Sequence, residues 1–319
     1  MANAYTSTDS GSLGNYLVQA AYDRYVEFAL RAVPLIRDVA DKRPVQQAMP
    51  GSSVVFQLYN DLSKATGVLS ETADPDAVGF GNTNQVSVTL NEYGNAALAT
   101  RKLELFSLSD VDPAIADIIA FNMADSIDEV AQTVLRGGSN AIYSASSTGV
   151  TPTSTTGVGS TSTIKSADIR KAVAKLRTNK AVPRQGEFYW CGIHPEVSHD
   201  LRAETGAGGW REAHVYNESG AGELWPGSIG TYEGAMFVES PRLYNATDGA
   251  SSTRVFRTIL AGKQALAEAI AEEPHVVVGP VVDKLMRFRP IGWYGVLGFA
   301  RYREASLYRI ESTSSIDAA

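Results

Sequence analysis

Residues 108–138 read LSDVDPAIADIIAFNMADSIDEVAQTVLRGG, and this stretch predicts one long helix with both ends marked. Asp112 is a suitable N-cap, and Pro113 falls at the first helical position, where a missing N–H costs nothing. Gly137-Gly138 can end the helix through a left-handed residue. At 1.5 Å per residue the rod is roughly 36 Å long. Ile115, Ile119, Met123, Ile127, Val130 and Val134 recur at steps of four and three and form one apolar stripe. Asp117, Asp125 and Asp128 are expected opposite it. Phe121, Ile118 and Leu135 are expected to project toward that acidic side, so the helix is predicted to have a core on one side and a second contact on the other.

On the N-terminal side of this rod, residues 1–14 are small and polar, with no core of their own. Leu17, Ala21, Tyr25 and Phe28 then share a helical face, and Pro34 and Pro44 limit further helix. This is an arm more than a domain. Residues 52–58 (SSVVFQL) and 85–91 (QVSVTLN) are strand-like, the second alternating cleanly. About 26 residues rich in Gly, Asp, Thr and Asn separate them, far more than the two to five of a tight hairpin. An extended two-stranded arm accounts for this, and an isolated hairpin is marginal in water, so it calls for another subunit to lie on. The competing expectation is an ordinary surface loop.

Beyond the rod, residues 139–163 are dominated by Ser, Thr and Gly and read as a linker or short exposed hairpin. A helix capped by Ser166 follows, with Ile169, Val173 and Leu176 inward and Arg170, Lys171, Lys175 and Arg177 solvated. Residues 187–193 predict a buried strand, and 195–203 a short helix. A glycine-punctuated loop occupies 206–222. Strands are expected at 235–238, 254–260, 276–278, 285–288 and 298–310, and a helix at 263–271. The pattern is α+β, without regular βαβ alternation.

Composition narrows the function. The net charge of −7 and pI near 5.2 argue against a dedicated nucleic-acid binder. The single cysteine, Cys191, excludes an intramolecular disulfide. No apolar run is long enough to span a membrane, and the N-terminus has no secretory pattern. His194 and His199 are five apart, not the four of a zinc-binding HExxH helix, so a strand-to-helix junction is the better reading. Gly262-Lys263 lacks the rest of a phosphate-binding loop, and no serine sits in a GxSxG elbow. No catalytic residue, cofactor site or metal site is expected.

The succession of the arm, the long inter-strand loop, LATRKLE (98–104), DVDPAIADIIAFNMADSIDEVAQTVL (110–135), IGTYEGAMFVES (229–240), ILAGKQALAEA (259–269) and RPIGWYGVLGFARYREASLYRIE (289–311) resembles the major capsid proteins of tailed bacteriophages, of HK97-like fold. The resemblance implies an N-terminal arm (1–48), an extended loop overlapping a neighbour (49–105) and a peripheral domain with the long helix (106–165). An axial domain (166–272), return strands of the peripheral domain (273–303) and a C-terminal strand and tail (304–319) complete it. It implies hexamers and pentamers of this chain closing into an icosahedral shell around double-stranded DNA, read without sequence specificity, after assembly in the host cytoplasm. Portal and decoration proteins are implied partners. The arm begins almost at once, so scaffolding, if used, is expected from a separate protein. The candidate inter-subunit contacts are Leu17, Tyr25 and Phe28 of the arm, Lys64, Leu69, Glu71 and Phe80 of the loop, Phe121 and Leu135 of the helix, and Trp210 of the glycine-rich loop, expected to face the capsomer centre. Some members cross-link a loop lysine to a neighbour's asparagine. Lys64 lies in the right region, but no partner asparagine or catalytic carboxylate is identifiable, so cross-linking is not expected. An α+β hydrolase with a lid at 60–84 and a tail-tube subunit are the competing readings.

Overall fold

The computed structural model describes residues 34–44, 53–58, 62–69, 71–72, 74, 78–79, 84–106, 111–204, 228–280, 285 and 287–316. The strands are β1 (Ala40–Pro44), β2 (Ser53–Leu58), β3 (Asn84–Thr89), β4 (Asn91–Thr100), β5 (Ala141–Tyr143), β6 (Tyr189–Ile193), β7 (Ser228–Tyr232), β8 (Ala235–Glu239), β9 (Asn245–Ala246), β10 (Val255–Ala261), β11 (Leu266–Val278), β12 (Phe288–Arg301) and β13 (Leu307–Ser312). The α-helices are α1 (Arg101–Phe106), α2 (Val111–Leu135), α3 (Ser166–Thr178) and α4 (Pro195–Ala203). Among the described residues the strands form three sheets: β1-β11-β12-β4, β5-β13-β10-β6-β8-β7 with β9 on β10, and the hairpin β2-β3.

The long helix α2 serves two sheets. Its Ile119 and Ile127 pack with Ile291, Trp293 and Leu297 of β12, flanked by Ile115 and Met123. Asn122 Oδ1 accepts from the Trp293 indole at 3.0 Å, which pairs a polar group inside that contact. Further along, Ala131 and Leu135 leave the first sheet and enter a cluster with Trp190, Val238, Ile259 and Leu266. The core residues thus run 119, 123, 127, 131, 135. Each step of four overshoots a turn by about 40°, so the buried line winds around the rod from one sheet to the other. This departs from the straight expected stripe at Val130, which joins neither cluster, whereas Val134 is half-buried against the second one. It also places Leu135 in the intramolecular core, not on the outer side. The helix begins at Val111, two residues before Pro113, still within the first turn, where N–H groups lack helical partners. Gly138, at φ +94°, supplies the left-handed residue after its end.

The seven-stranded sheet is covered on one face by α3 and α4, through Ile169, Val173, Leu176, Val197 and Leu201 against Tyr189, Cys191, Phe237 and Phe256. Its other face meets the end of α2 and the segment Ile36–Ala40. Two adjacent strand connections link it to the four-stranded sheet: β10 runs into β11, and β12 into β13. They are tied by Gly262 N–H to Ser306 O (2.9 Å), Tyr302 N–H to Ala265 O (3.1 Å) and Arg303 N–H to Gln264 O (2.9 Å). The region 263–271, expected as a helix, is therefore mostly the start of β11. Its alanine-rich sequence favours helix locally, but pairing with β1 and β12 on two sides overrides a propensity worth tenths of a kcal/mol per residue. The stretch 298–310, expected as one strand, divides between β12 and β13 in different sheets. Leu285 lies in a turn, and β12 starts only at Phe288. The Ser/Thr-rich stretch 139–163 is not a free linker: β5 pairs with β13, and Ser144, Val158 and Ser162 are buried.

The expected acidic face of α2 is partly interior. Asp128 is buried, and its Oδ1 accepts the backbone N–H groups of Ile36 (2.7 Å) and Arg37 (3.0 Å). Arg242 lies beside Asp128 (3.5 Å) and pairs with Asp125. Arg37 in turn reaches buried Glu268 of β11 at 2.7 Å and Glu273 at 3.0 Å. One turn of chain at 36–37 thus fastens α2, β11 and the 240–244 loop together. Burial raises the Asp128 pKa above its ordinary value, and the N–H donors and Arg242 only partly offset this. A folded-state pKa above the unfolded one means the neutral form suits the fold better. The stabilisation from protonation is fully present below the unfolded pKa and lost as pH rises through the folded pKa. Asp128→Asn keeps an oxygen for both N–H groups without the buried charge. It should unfold at the same or higher denaturant concentration near neutral pH, with the gap narrowing on acidification. Asp128→Ala strands two buried donors and should cost roughly 2–4 kcal/mol. Equal damage from both variants would contradict the assignment.

Candidate assembly surfaces

The hairpin β2-β3 is antiparallel with Ser53 opposite Thr89 and Leu58 opposite Asn84. One face of its base is anchored on its own subunit: Phe56 and Val88 are buried against Ala267, Ala269 and Tyr302. Phe56 meets Tyr302 edge to face at 5.8 Å. Gly298 permits this approach, since a Cβ there would overlap the Thr89 carbonyl oxygen. The other face, with Val55, is exposed. Beyond the base every described residue of the connecting loop is exposed, including Leu62, Lys64, Val68, Leu69, Glu71 and Val78. Val68 is wholly exposed and Leu69 is 73% exposed. Apolar side chains in this state gain nothing from their own subunit.

A second uncovered surface lies on the four-stranded sheet. α2 covers one face, and the hairpin base covers part of the other. The distal part of that other face carries Gly94, Ala96 and Leu98 of β4 beside Pro290, Gly292 and Tyr294 of β12, which pair across the strands. Val277 lies opposite Gly292 on β11. The small residues leave a shallow groove of about 340 Å³ along Gly94, Ala96, Val277, Pro290 and Gly292. Leu98 and Val277 are exposed on this face, while Val276 and Val278, which alternate with Val277 along β11, are exposed on the opposite face. β4 is also the outer strand of its sheet, so its outer edge has no strand partner among the described residues.

The sequence candidates divide accordingly. Lys64, Leu69 and Glu71 are exposed on the loop. Phe121 is half-buried on α2 and Ile118 beside it is exposed, whereas Leu135 is fully buried within the subunit and is withdrawn as a contact. Leu17, Tyr25, Phe28, Phe80 and Trp210 lie outside the described residues. The structure brings the loop and α2 candidates to no common site. Val276–Val278 and Leu98 were missed. The valine run was visible as strand, but which face stays bare depends on how far the hairpin base reaches, which no local pattern encodes.

The polar clusters have structural roles. His194 Nδ1 accepts the Glu196 N–H at 3.3 Å, capping α4, and its ring lies 4.8 Å from Phe256. Burial and nearby Arg254 push its pKa down to about 4, so it is neutral at pH 7. His199 is exposed and sits 3.4 Å from Asp200. Cys191 is buried in β6, which drives its thiol pKa far up and keeps it unreactive.

Two packed sheets served by one long helix, with a projecting hairpin, make an HK97-like capsid fold. The chain belongs to the phage capsid protein family, whose model matches residues 15–316. It is a structural major capsid protein of the virion capsid. The capsid of Ralstonia phage GP4 is similar, at 15% identity and TM-score 0.70, covering 98% of each chain. The acid-stable capsid of Helicobacter pylori bacteriophage KHP30 is similar at 13% identity and TM-score 0.72, covering 98% of this chain and 99% of that one. The capsid of a native GTA particle is similar at 15% identity and TM-score 0.66, covering 98% and 100%. A search of curated protein sequences finds no match. The hydrolase reading finds no support in this family.

Adjacent residues of α2 separate fold from assembly. Ile119→Ser removes a core side chain and should destabilise the free subunit by roughly 2–5 kcal/mol. Ile118→Ser, at an exposed position, should shift the free subunit by about 0.5 kcal/mol or less but lower the melting temperature of assembled particles. Calorimetry of both states distinguishes them, and equal loss in the free subunits would make this face intramolecular core.

Proposed function

We propose that the chain builds hexamers and pentamers of an icosahedral shell enclosing double-stranded DNA, and that its hairpin tip and bare sheet face are covered by neighbouring copies. The observation that carries this is the hairpin itself: its base is packed on its own sheet while the described part of its tip projects with Leu62, Val68, Leu69 and Val78 exposed. Full burial of one such side chain contributes roughly 1.5–3 kcal/mol. A closed shell repeats that contact in every subunit, so individually weak contacts give a stable particle. In this reading the four-stranded sheet and α2 form the peripheral domain and the seven-stranded sheet the axial domain. Of the expected arm, residues 36–44 are fastened to their own subunit, and the part before them crosses to a neighbour through Leu17, Tyr25 and Phe28. Assembly takes place in the host cytoplasm, with the portal as a separate partner.

The test is deletion of Lys64–Gly81 in the full chain. The base residues Phe56 and Val88 remain, so the subunit should stay soluble with near-unchanged melting, while sedimentation and negative-stain microscopy show no stable shells. Shells of normal number and heat resistance from the deleted chain would overturn the role of the hairpin. Limited proteolysis adds an independent check: cleavage before residue 31 should be fast in free subunits and slow in particles.

A further inference from the structure

The helix α3 carries a charge pattern that neither its packing nor its own helix chemistry explains. It buries Ile169, Ala172, Val173 and Leu176 on the seven-stranded sheet. Arg170 and Arg177 are exposed on one flank of the helix, with the Arg177 guanidinium close to Gly234, Lys171 and Lys175 are exposed on the other flank, and exposed Lys180 follows just past the C-terminus. These are five cations between residues 170 and 180, in a chain whose net charge is −7. The one carboxylate of the helix, Asp168, is half-buried and accepts the Lys165 N–H at 3.2 Å. It acts on Lys171 only at longer range. Among the described residues none of the five cations lies within salt-bridge distance of a carboxylate.

Helix electrostatics accounts for part of this. Lys175 and Arg177 sit in the last turn, where cations favour the negative end of the dipole. Arg170 and Lys171 lie nearer the positive end and gain nothing from it. Lys171 and Lys175 are four residues apart on one face, where like charges repel. This repulsion is worth a few tenths of a kcal/mol in water and is relieved when an external anion lies between the two ammonium groups. The exposed face also contains Ala167, Ala174 and Thr178 but no large apolar side chain. Protein partners are normally held by a buried aromatic or aliphatic anchor. A phosphodiester backbone requires only charge and close approach.

We infer that the α3 face from Arg170 to Lys180 is the chain's contact with the phosphate backbone of the enclosed DNA, and hence that α3 lies on the inner wall of the shell. This rests on the shell reading above. From 170 to 177 the stripe spans about 10 Å at 1.5 Å per residue, and duplex DNA presents a charge every ~1.7 Å along its axis. With at most five phosphates neutralised, the logarithm of affinity falls with the logarithm of salt at a slope no steeper than about −4.5. Binding of this kind is sequence-independent and weakens by about two to three orders of magnitude between 50 and 200 mM salt. It holds DNA loosely enough that filling the shell is not obstructed.

The test uses full-length subunits and a labelled 30-base-pair duplex, with fluorescence anisotropy across a salt series. Wild-type chain should bind at about 50 mM salt with a slope between about −3 and −4.5. Lys171→Glu with Lys175→Glu should weaken binding at least tenfold, and the milder Lys171→Gln with Lys175→Gln should reduce the slope by about 2. The control pair Lys42→Glu with Lys102→Glu, also exposed, should change affinity less than twofold. Circular dichroism melts should coincide for all variants. Equal loss in the control pair, no measurable binding by wild type, or tighter binding of a poly-glutamate peptide than of the duplex would overturn the inference. Imaging of assembled particles separates the two levels. Absence of shells from wild-type chain defeats the shell reading, whereas shells with α3 on the outer wall defeat this inference alone.

Discussion

The structure depends on the double strand connection between its two sheets. β10 passes into β11, and β12 returns into β13, with the two connections hydrogen-bonded to each other through residues 262–265 and 302–306. The end of α2 and the turn at 36–40 close over this junction, burying Leu135, Ile36 and Val39 with Ile259 and Leu266. The charged network of Asp128, Arg242, Arg37 and Glu268 surrounds it. Two parallel covalent links and a shared helix resist relative rotation better than one linker, because bending both at once disrupts packing on two faces. A subunit that occupies several slightly different positions in a closed shell needs such a body to transmit load between its contacts.

What the body leaves uncovered defines its use. The hairpin buries its base and exposes its tip, and the four-stranded sheet leaves Leu98 and Val277 exposed on one face and Val276 and Val278 on the other. Exposed apolar side chains at these places mark surfaces for a partner. The cations of α3 are the polar counterpart, with no carboxylate in salt-bridge range among the described residues. Under the proposals above they serve two kinds of contact, the apolar surfaces with copies of the chain and the basic face with DNA.

Local sequence revealed the elements whose signals were strong and whose cores were their own. Capping and glycine placement gave α2 to within two residues, and helix periodicity gave α3 and its buried Ile169, Val173 and Leu176. Pro195 gave the start of α4, and the alternation of β3 was plain. Three features were not legible. The segment QALAEAIAEE (264–273) has helix-forming composition but pairs as a strand, because two neighbouring strands offer its backbone partners that sequence alone does not display. Asp128 has the pattern of a surface acid of an amphipathic helix, yet it accepts the N–H groups of Ile36 and Arg37, 92 and 91 positions away. Leu135 was assigned outward because a straight stripe was assumed, whereas the buried line winds between two sheets. In the candidate surfaces, the exposure of Lys64, Leu69 and Glu71 followed from loop length, while the groove by Gly292 depended on long-range register.

The central claim is that the apolar surfaces left bare on the subunit are covered by other copies of it. Amide hydrogen exchange, compared between free subunits and assembled particles, tests this most directly. The account predicts strong new protection in particles at residues 62–69, 78–79, 94–98 and 276–278, and little change in the already buried strands β6 and β10. Equal exchange at the hairpin tip and the β4-β12 face in both states would contradict it.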